Sequence, residues 1–192
     1  MRDTPMVGRN RERDALWRAL VDAVSSSMPQ VVFITGPAGQ GKSRLARWIT
    51  ERGHELIGAV AVEATHAPDG GDQHGVFAGV SRRLRLGRLS ALGSAEQLRK
   101  RMPGLPEAKA VHLGRALAEG VAAERDLAAV EALRELSKVQ PVVLWLDDLQ
   151  WGERAASSVA RLVKRRTGAI LVVATVRDAA PSATLMRAGP CT

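Results

Sequence analysis

Hydrophobic residues follow two different periods along the chain, and the period changes several times. Over residues 9–25 apolar side chains recur every three or four positions, which is the spacing of an amphipathic helix. Short apolar runs that are bounded by polar residues, glycine or proline have instead the length and the β-branched content of buried strands. We predict four such strands, over 31–35, 56–64, 142–146 and 169–176.

The segments between these strands are mostly helical in pattern. Strands that alternate with helices form a mainly parallel sheet with helices on both faces, so we predict an α/β fold arranged as a three-layer sandwich. The other predicted elements, in chain order, are a helix over 43–52, a loop rich in turn residues over 66–75, a mainly helical region over 76–139 with breaks at Gly87, Gly93 and 102–106, a helix over 153–166 and an irregular tail over 179–192.

The loop between the first strand and the next helix has the glycine-rich P-loop pattern. Glycines let backbone N–H groups curl around a phosphate without Cβ clashes, and the following helix turns its positive N-terminal end toward the anion. Lys42 is predicted to reach the β- and γ-phosphates, and the Ser43 hydroxyl is predicted to bind Mg²⁺. The predicted nucleotide-binding residues of this segment are Gly36, Pro37, Ala38, Gly39, Gln40, Gly41, Lys42, Ser43 and Arg44.

Two adjacent acids, Asp147 and Asp148, end the apolar run 142–146. Ligands collect at the C-terminal ends of parallel strands, so both acids are expected beside the phosphate loop. Mg²⁺ prefers oxygen ligands, often with waters between, and Asp147 at the strand end suits that role. Asp148 is predicted to accept a hydrogen bond from an attacking water. Two acids after an apolar run are also typical of a solvated turn, but their position after a P-loop favours the metal site.

Arg177 follows the last strand, again at the C-terminal end and two residues after Thr175. A cation at that edge of the sheet is suited to sensing the γ-phosphate, although an ordinary surface arginine has the same pattern. The candidate catalytic residues are therefore Lys42, Asp148 and Arg177.

Composition limits the environment of the protein. A chain of 192 residues with 45% hydrophobic content fits one α/β domain. The single cysteine, Cys191, excludes a disulfide framework or a cysteine-based metal site within one chain, and it suits a reducing cytoplasm. No apolar run is long enough to span a bilayer, and the first residues lack the apolar region of a signal peptide. We predict a cytoplasmic protein that does not contact a membrane.

Much of the formal net charge of +8 lies in one stretch, residues 82–101, where seven basic residues stand against one acid, Glu96. Such a surface is suited to nucleic acid or another acidic partner, but a solvated helical face has the same composition. The chain has no Tyr and only two Phe, which argues against a base-stacking platform.

These motifs together resemble the AAA-like ATPase module of the STAND class of signalling ATPases. The nearest likeness is to the origin-recognition-like ATPase domain that opens large ATP-binding LuxR-family transcription regulators and some bacterial cyclases. The phosphate loop is similar to the family's Walker A motif, "LWLDDLQWGERA" to its Walker B motif, and "ATVRD" to its sensor-1 strand, with Arg177 at the arginine position. Residues 6–16 resemble the family's N-terminal motif, which lies near the adenine in relatives. The resemblance thereby adds Val7, Gly8 and Arg9 to the nucleotide-binding residues.

The resemblance covers about residues 6–178 and implies the sheet order 2-3-4-1, with 56–64 counted as strand 2. Arg13 stands where relatives usually carry an apolar residue. The chain stops about fifteen residues after Arg177, so the lid and winged-helix domains of relatives are expected to be absent. We predict one core domain over 1–178, followed by the tail. Within the core domain, the N-terminal motif and helix occupy 6–25 and the Walker A unit occupies 31–52. The helical region follows over 76–139, and the Walker B and sensor-1 unit occupies 142–178.

The function implied is a Mg²⁺-dependent ATP-binding switch with slow hydrolysis. It would be the nucleotide-binding core, or a truncated form, of a signalling or transcription-regulatory ATPase, with a protein partner or further C-terminal domains. A small P-loop kinase and a DNA-binding AAA-like initiator are alternatives. The kinase does not need the "DDLQW" segment or a sensor arginine, and the initiator is favoured only by the basic stretch. The preference for ATP over GTP comes from the resemblance alone.

Overall fold

The computed structural model describes residues 8–68 and 73–177 of the chain, and only the backbone of Glu153. Val7 and the predicted tail over 179–192 lie outside the described residues. The elements, in chain order, are α1 (Asn10–Ser26), β1 (Gln30–Thr35), α2 (Lys42–Ile57), β2 (Val60–Thr65), α3 (Gly75–Leu84), α4 (Ala91–Arg101), α5 (Glu107–Glu119), α6 (Ala122–Ser137), β3 (Val142–Asp147), a 3-10 turn (Leu149–Trp151), α7 (Glu153–Lys164) and β4 (Ile170–Val176).

The four strands form one parallel sheet in the order β1-β4-β3-β2. This is the predicted order read from the opposite edge of the sheet. β3 and β4 lie in the centre, and β1, which leads into the phosphate loop, is an edge strand of the described sheet. All four strands therefore present their C-terminal ends at the same edge, where the candidate site residues follow.

Each face of the sheet buries a different set of side chains. Val143 and Trp145 of β3 pack with α1 and α2 in one cluster, whereas Leu144 and Leu146 pack with α3, α6 and α7 in the other. The alternation follows from the two-residue period of a strand, in which successive side chains point to opposite faces. Helices on both faces of a parallel sheet confirm the predicted α/β fold.

The helical region over 76–139 contains a close pair of helices, α4 and α5. At the crossing point, a Cβ atom on Gly114 would lie 2.5 Å from the Ala91 carbonyl oxygen and 2.6 Å from the Ala95 nitrogen. The two backbones therefore approach at a distance that only glycine allows at this position.

An ion-pair cluster joins α5 to α6. Lys109 Nζ donates to Glu131 Oε1 at 2.5 Å and to Glu135 Oε1 at 2.6 Å, and Lys138 also binds Glu135, whose side chain is 6% exposed. Burial alone would raise the pKa of Glu135, but the hydrogen bonds and charges of the two lysines outweigh burial and lower this pKa. The pKa of Glu131 is lowered in the same way, because Lys109 and Arg134 outweigh its burial.

Several predicted boundaries differ from the structure. Leu56 and Ile57 belong to α2 and not to a strand, because the helix continues until Gly58, whose φ of 65° ends it. Gly93 does not break the helical region but lies in the first turn of α4, where its N–H donates to the Ser90 hydroxyl at 3.2 Å. The last long helix, α7, ends at Lys164 instead of residue 166.

Among the described helices, none has both the length and the apolar character that crossing a bilayer requires.

Candidate nucleotide-binding site

The phosphate loop joins the end of β1 to the first turn of α2. Gly36, Gly39 and Gly41 have φ values of 141°, 78° and 77°, which lie in the left-handed range that glycine adopts at little cost. No side chain caps the N-terminus of α2, so its first N–H groups are available to an anion. Residues 37–41 are exposed, and Arg44 is exposed in the first turn of the helix. The loop therefore has the backbone geometry and the access that a phosphate group needs.

Lys42 is the buried cation of this loop. Its side chain is 7% exposed, and its Nζ donates to the carbonyl oxygens of Gly36 at 2.7 Å and Pro37 at 2.8 Å. An ammonium group has three N–H donors, so a phosphate oxygen can be a further acceptor. The contacts with the loop carbonyls hold the ammonium group against the phosphate loop.

Ser43 and Asp147, the predicted metal residues, meet across the sheet edge. The Ser43 hydroxyl donates to Asp147 Oδ1 at 2.9 Å. A hydroxyl oxygen and a carboxylate are hard oxygen donors of the kind that Mg²⁺ takes, together with waters and nucleotide phosphates. The residues present therefore fit a Mg²⁺ ion carried by a nucleotide. Within 8–68 and 73–177, no three His, Cys, Asp or Glu side chains converge on a metal cage.

Thr175, near the end of β4, joins the two acids to the sheet. Its hydroxyl donates to Asp147 Oδ1 at 2.7 Å and accepts from the Asp148 N–H at 3.0 Å, and the residue is 1% exposed. The sequence singled out Thr175 only as a strand-end residue. Thr175 could have been identified as a site residue by its hydroxyl, which lies at the buried end of β4, beside the strand that carries the two acids.

Asp148 and Arg177 form a bidentate ion pair at the C-terminal edge of the sheet. Arg177 Nε donates to Asp148 Oδ1 and Arg177 Nη2 donates to Oδ2, both at 3.1 Å. Asp148 has a φ of 52°, a left-handed conformation that Asp tolerates better than most residues. Arg177 was predicted to sense the γ-phosphate and Asp148 to accept a hydrogen bond from a water, but in this structure each is the other's partner.

Gln150 bridges this ion pair, and sequence reasoning gave it no role. Its Nε2 donates to Asp148 Oδ1 at 3.2 Å, and its Oε1 accepts from the Arg177 backbone N–H at 3.3 Å. The amide thus contacts both members. The sequence signal for a role of Gln150 at the site was its position two residues after the second acid of "DDLQW".

The N-terminal motif also reaches the phosphate loop. Gly8 and Arg9 have φ values of 80° and 57°, and the Arg9 guanidinium donates to the Gln40 carbonyl oxygen. Arg13 lies over the ring of Trp48 on α2, with its guanidinium carbon 4.6 Å from the ring centroid. This is a cation–π contact, so the residue that departs from the family pattern still packs on an aromatic surface.

His66, which directly follows β2, holds the end of β3 from the other side. Its Nδ1 lies 2.9 Å from the Asp147 carbonyl oxygen, so Nδ1 carries the proton, and its backbone N–H donates to the same oxygen at 3.1 Å. Burial lowers the pKa of His66, more than its bond to Asp147 and the charges of the two acids raise it. His66 also lines a cavity of about 440 Å³, together with Gln150 and Trp151.

Comparison with known proteins places the chain in a family. Its sequence matches the family model described as the AAA ATPase domain over residues 5–173, which is most of its length. No curated protein matches the chain. The family match, the parallel sheet and the phosphate loop agree on one class of protein. The chain belongs to the AAA ATPase domain family, as a P-loop module that binds nucleotide.

Proposed function

We propose that this protein is a Mg²⁺-dependent ATP-binding switch that hydrolyses ATP slowly. One observation carries the proposal: the Ser43 hydroxyl and the Asp147 carboxylate are in hydrogen-bond contact at 2.9 Å, and Lys42, which precedes Ser43, is buried with its ammonium group on the phosphate loop. Two oxygen donors for a metal and one cation for a phosphate thus converge at the N-terminus of α2. Few ligands other than the phosphates of a nucleotide need all three groups at this spacing.

In the proposed complex the chain binds the phosphates through backbone N–H groups of residues 36–43 and through Lys42. Ser43 and Asp147 would hold Mg²⁺, Asp147 through water, and the ion would supply positive charge that offsets the negative charge of the phosphates. Arg9 supports the loop at Gln40, as a residue of the proposed adenine end of the site. Arg177 is proposed to contact the γ-phosphate, which ATP has and ADP lacks.

Hydrolysis would follow the usual in-line course. The oxygen of a water forms a bond to the γ-phosphorus, the bond from this phosphorus to the β–γ bridging oxygen breaks, and ADP leaves with the electron pair. Asp148 accepts the hydrogen bond that orients the water, and the water's proton is released with the phosphate product. Residues 37–41 are exposed, so water competes with the protein for the phosphate charge. We expect slow turnover for this reason.

The role in signalling or transcription regulation, in the cytoplasm and with a protein partner or further domains, is part of the proposal and depends on the family resemblance. The basic stretch gives partial support to an acidic partner. Arg82 is used internally, since its guanidinium donates to the carbonyl oxygens of Gln73 and Glu63, and Lys100 pairs with Glu96. The cations of this stretch that are exposed and make no such contact in the described residues are Arg83, Arg85, Arg88 and Arg101.

A salt-dependent gel shift with DNA would favour the initiator alternative.

Calorimetric titration tests the central claim. ATP is titrated into the purified chain with and without Mg²⁺, and the same is done for Asp147→Ala. We expect Mg²⁺ to strengthen ATP binding by the parent and to have little effect on the variant. Asp14→Ala, an exposed aspartate on α1, is the control that keeps the Mg²⁺ effect. Failure of the parent to bind ATP, or a Mg²⁺ effect that survives in Asp147→Ala, would contradict the proposal. ADP formation that depends on an added acceptor would identify the kinase.

A further inference from the structure

Gln150 is the residue whose contacts the proposed function leaves unexplained. Its side-chain amide donates to the Asp148 carboxylate through Nε2 and accepts from the Arg177 backbone N–H through Oε1. These two contacts use both ends of one amide, and they join the two residues that are 29 positions apart in the chain. An amide in this position favours the arrangement in which the guanidinium lies on the carboxylate.

Asp148 accepts three side-chain hydrogen bonds in this arrangement. Oδ1 accepts from Arg177 Nε at 3.1 Å and from Gln150 Nε2 at 3.2 Å, and Oδ2 accepts from Arg177 Nη2 at 3.1 Å. The Asp148 backbone N–H is also bound, to the Thr175 hydroxyl. A carboxylate that already accepts three donors, two of them from a cation, is a weaker acceptor for a water. Arg177 uses two of its five guanidinium N–H donors in this pair, so a phosphate and Asp148 compete for the same cation.

We propose that Gln150 is a positioning residue that latches Arg177 onto Asp148, so that the carboxylate is released for water only when a γ-phosphate competes for the guanidinium. This inference rests on the proposed function, and it adds the regulation of the same site. A γ-phosphate carries more negative charge than one carboxylate and binds a guanidinium through two oxygens, so it can displace Asp148. ADP has no γ-phosphate and leaves the latch closed. ATP must therefore displace Asp148 from Arg177 when it binds, and Asp148 is released only when ATP is present.

The side chains are accessible enough for this exchange. The Arg177 side chain is 54% exposed and the Asp148 side chain is 29% exposed. An ion pair with this exposure is only weakly stabilising, because water and salt screen it. The two hydrogen bonds of Gln150 therefore account for a substantial part of what keeps the latch closed, and their removal is expected to have a measurable effect.

Gln150→Leu removes both hydrogen bonds and keeps a side chain of similar size. We expect the affinity for a non-hydrolysable ATP analogue to rise about two- to tenfold, the equivalent of roughly one net hydrogen bond, while the affinity for ADP stays unchanged. A purely structural role would move both affinities together. Gln140→Leu, at a glutamine beyond the end of α6, is the matched control and leaves the ratio of the two affinities unchanged.

A double-mutant cycle identifies the partner. In an Arg177→Ala background, Gln150→Leu should no longer change the ratio of analogue to ADP affinity, because the latched group is gone. An undiminished effect in that background, or an unchanged ratio in the single variant, would overturn the latch.

A measurement without nucleotide distinguishes a failure of the latch from a failure of the proposed function. In the free protein, hydrogen exchange of the Arg177 Nε–H, followed by NMR, should be slow in the parent and faster in Gln150→Leu and in Asp148→Asn. Equal exchange in parent and Gln150→Leu would overturn the latch even if ATP binds. Conversely, if ATP fails to bind the parent but exchange responds to Gln150, the proposed function fails while Gln150 still holds Arg177.

Discussion

Thr175→Val removes one hydroxyl group and keeps the shape of a side chain that is 1% exposed. Two hydrogen bonds disappear: the donation to Asp147 Oδ1 at 2.7 Å and the acceptance from the Asp148 N–H at 3.0 Å. A bond to a charged group contributes about 1.5–3 kcal/mol and a neutral bond about 0.5–1.5 kcal/mol. Ser43 still donates to the same carboxylate oxygen, so Asp147 is not left unpaired. We therefore expect the free energy of unfolding to fall by about 2–3 kcal/mol, toward the lower end of the combined range.

Equilibrium unfolding in urea measures this loss, and Thr175→Ser is the matched control. Serine keeps the hydroxyl and lacks one methyl group, which costs about 1 kcal/mol in a buried position. In a thermal scan the valine variant should unfold about 4–12 °C below the parent, because about 1 kcal/mol corresponds to 2–4 °C at this chain length. If the valine variant is as stable as the serine variant, the Thr175 hydroxyl does not stabilise the fold by joining the two acids.

Three further predictions concern other parts of the molecule. Lys42→Ala should weaken calorimetric ATP binding at least about tenfold, because a charge-assisted contact to phosphate is lost, and an unchanged affinity would remove Lys42 from the site. Gly114→Ala should cost about 1–3 kcal/mol in urea unfolding, since the new Cβ would lie 2.5 Å from a carbonyl of α4. Gly104→Ala, where nothing lies within 4 Å of the Cβ, is its control, and equal stability of the two variants would contradict the close packing.

The third concerns the ion-pair cluster of α5 and α6. Glu131 and Glu135 have pKa values below 4.5, their ordinary value, so the stability that they contribute is present above pH 4.5 and is lost as the pH falls through the lowered pKa values. In Lys109→Met the free energy of unfolding should therefore be lower near neutral pH and fall less steeply below pH 4.5. Urea unfolding at several pH values measures the slope, and parallel curves for parent and variant would contradict the role of Lys109 in lowering both pKa values.

The local features of this protein are determined by sequence that lies close together along the chain. The apolar run of β1, the glycines after it and the start of α2 follow one another within about twenty residues, so their pattern predicts strand, loop and helix without knowledge of the rest. The α/β class follows in the same way from strands that alternate with helices. The apolar pair Leu56 and Ile57 misled the prediction of the second strand, because hydrophobicity alone does not distinguish the last turn of a helix from a strand. Gly58 was the local signal for the boundary.

The tertiary structure decided which side chains meet at the site. Asp148 is held by Arg177 and Gln150, and Thr175 joins the two acids, although these contacts span up to 29 positions of the chain. They exist because β3 and β4 are neighbours in the sheet and end at the same edge, which strand order decides and hydrophobic pattern does not. The sequence by itself determined that a phosphate loop and two strand-end acids are present. Whether Arg177 faces a ligand or a carboxylate depends on side-chain contacts between strands, and only the folded structure supplies those.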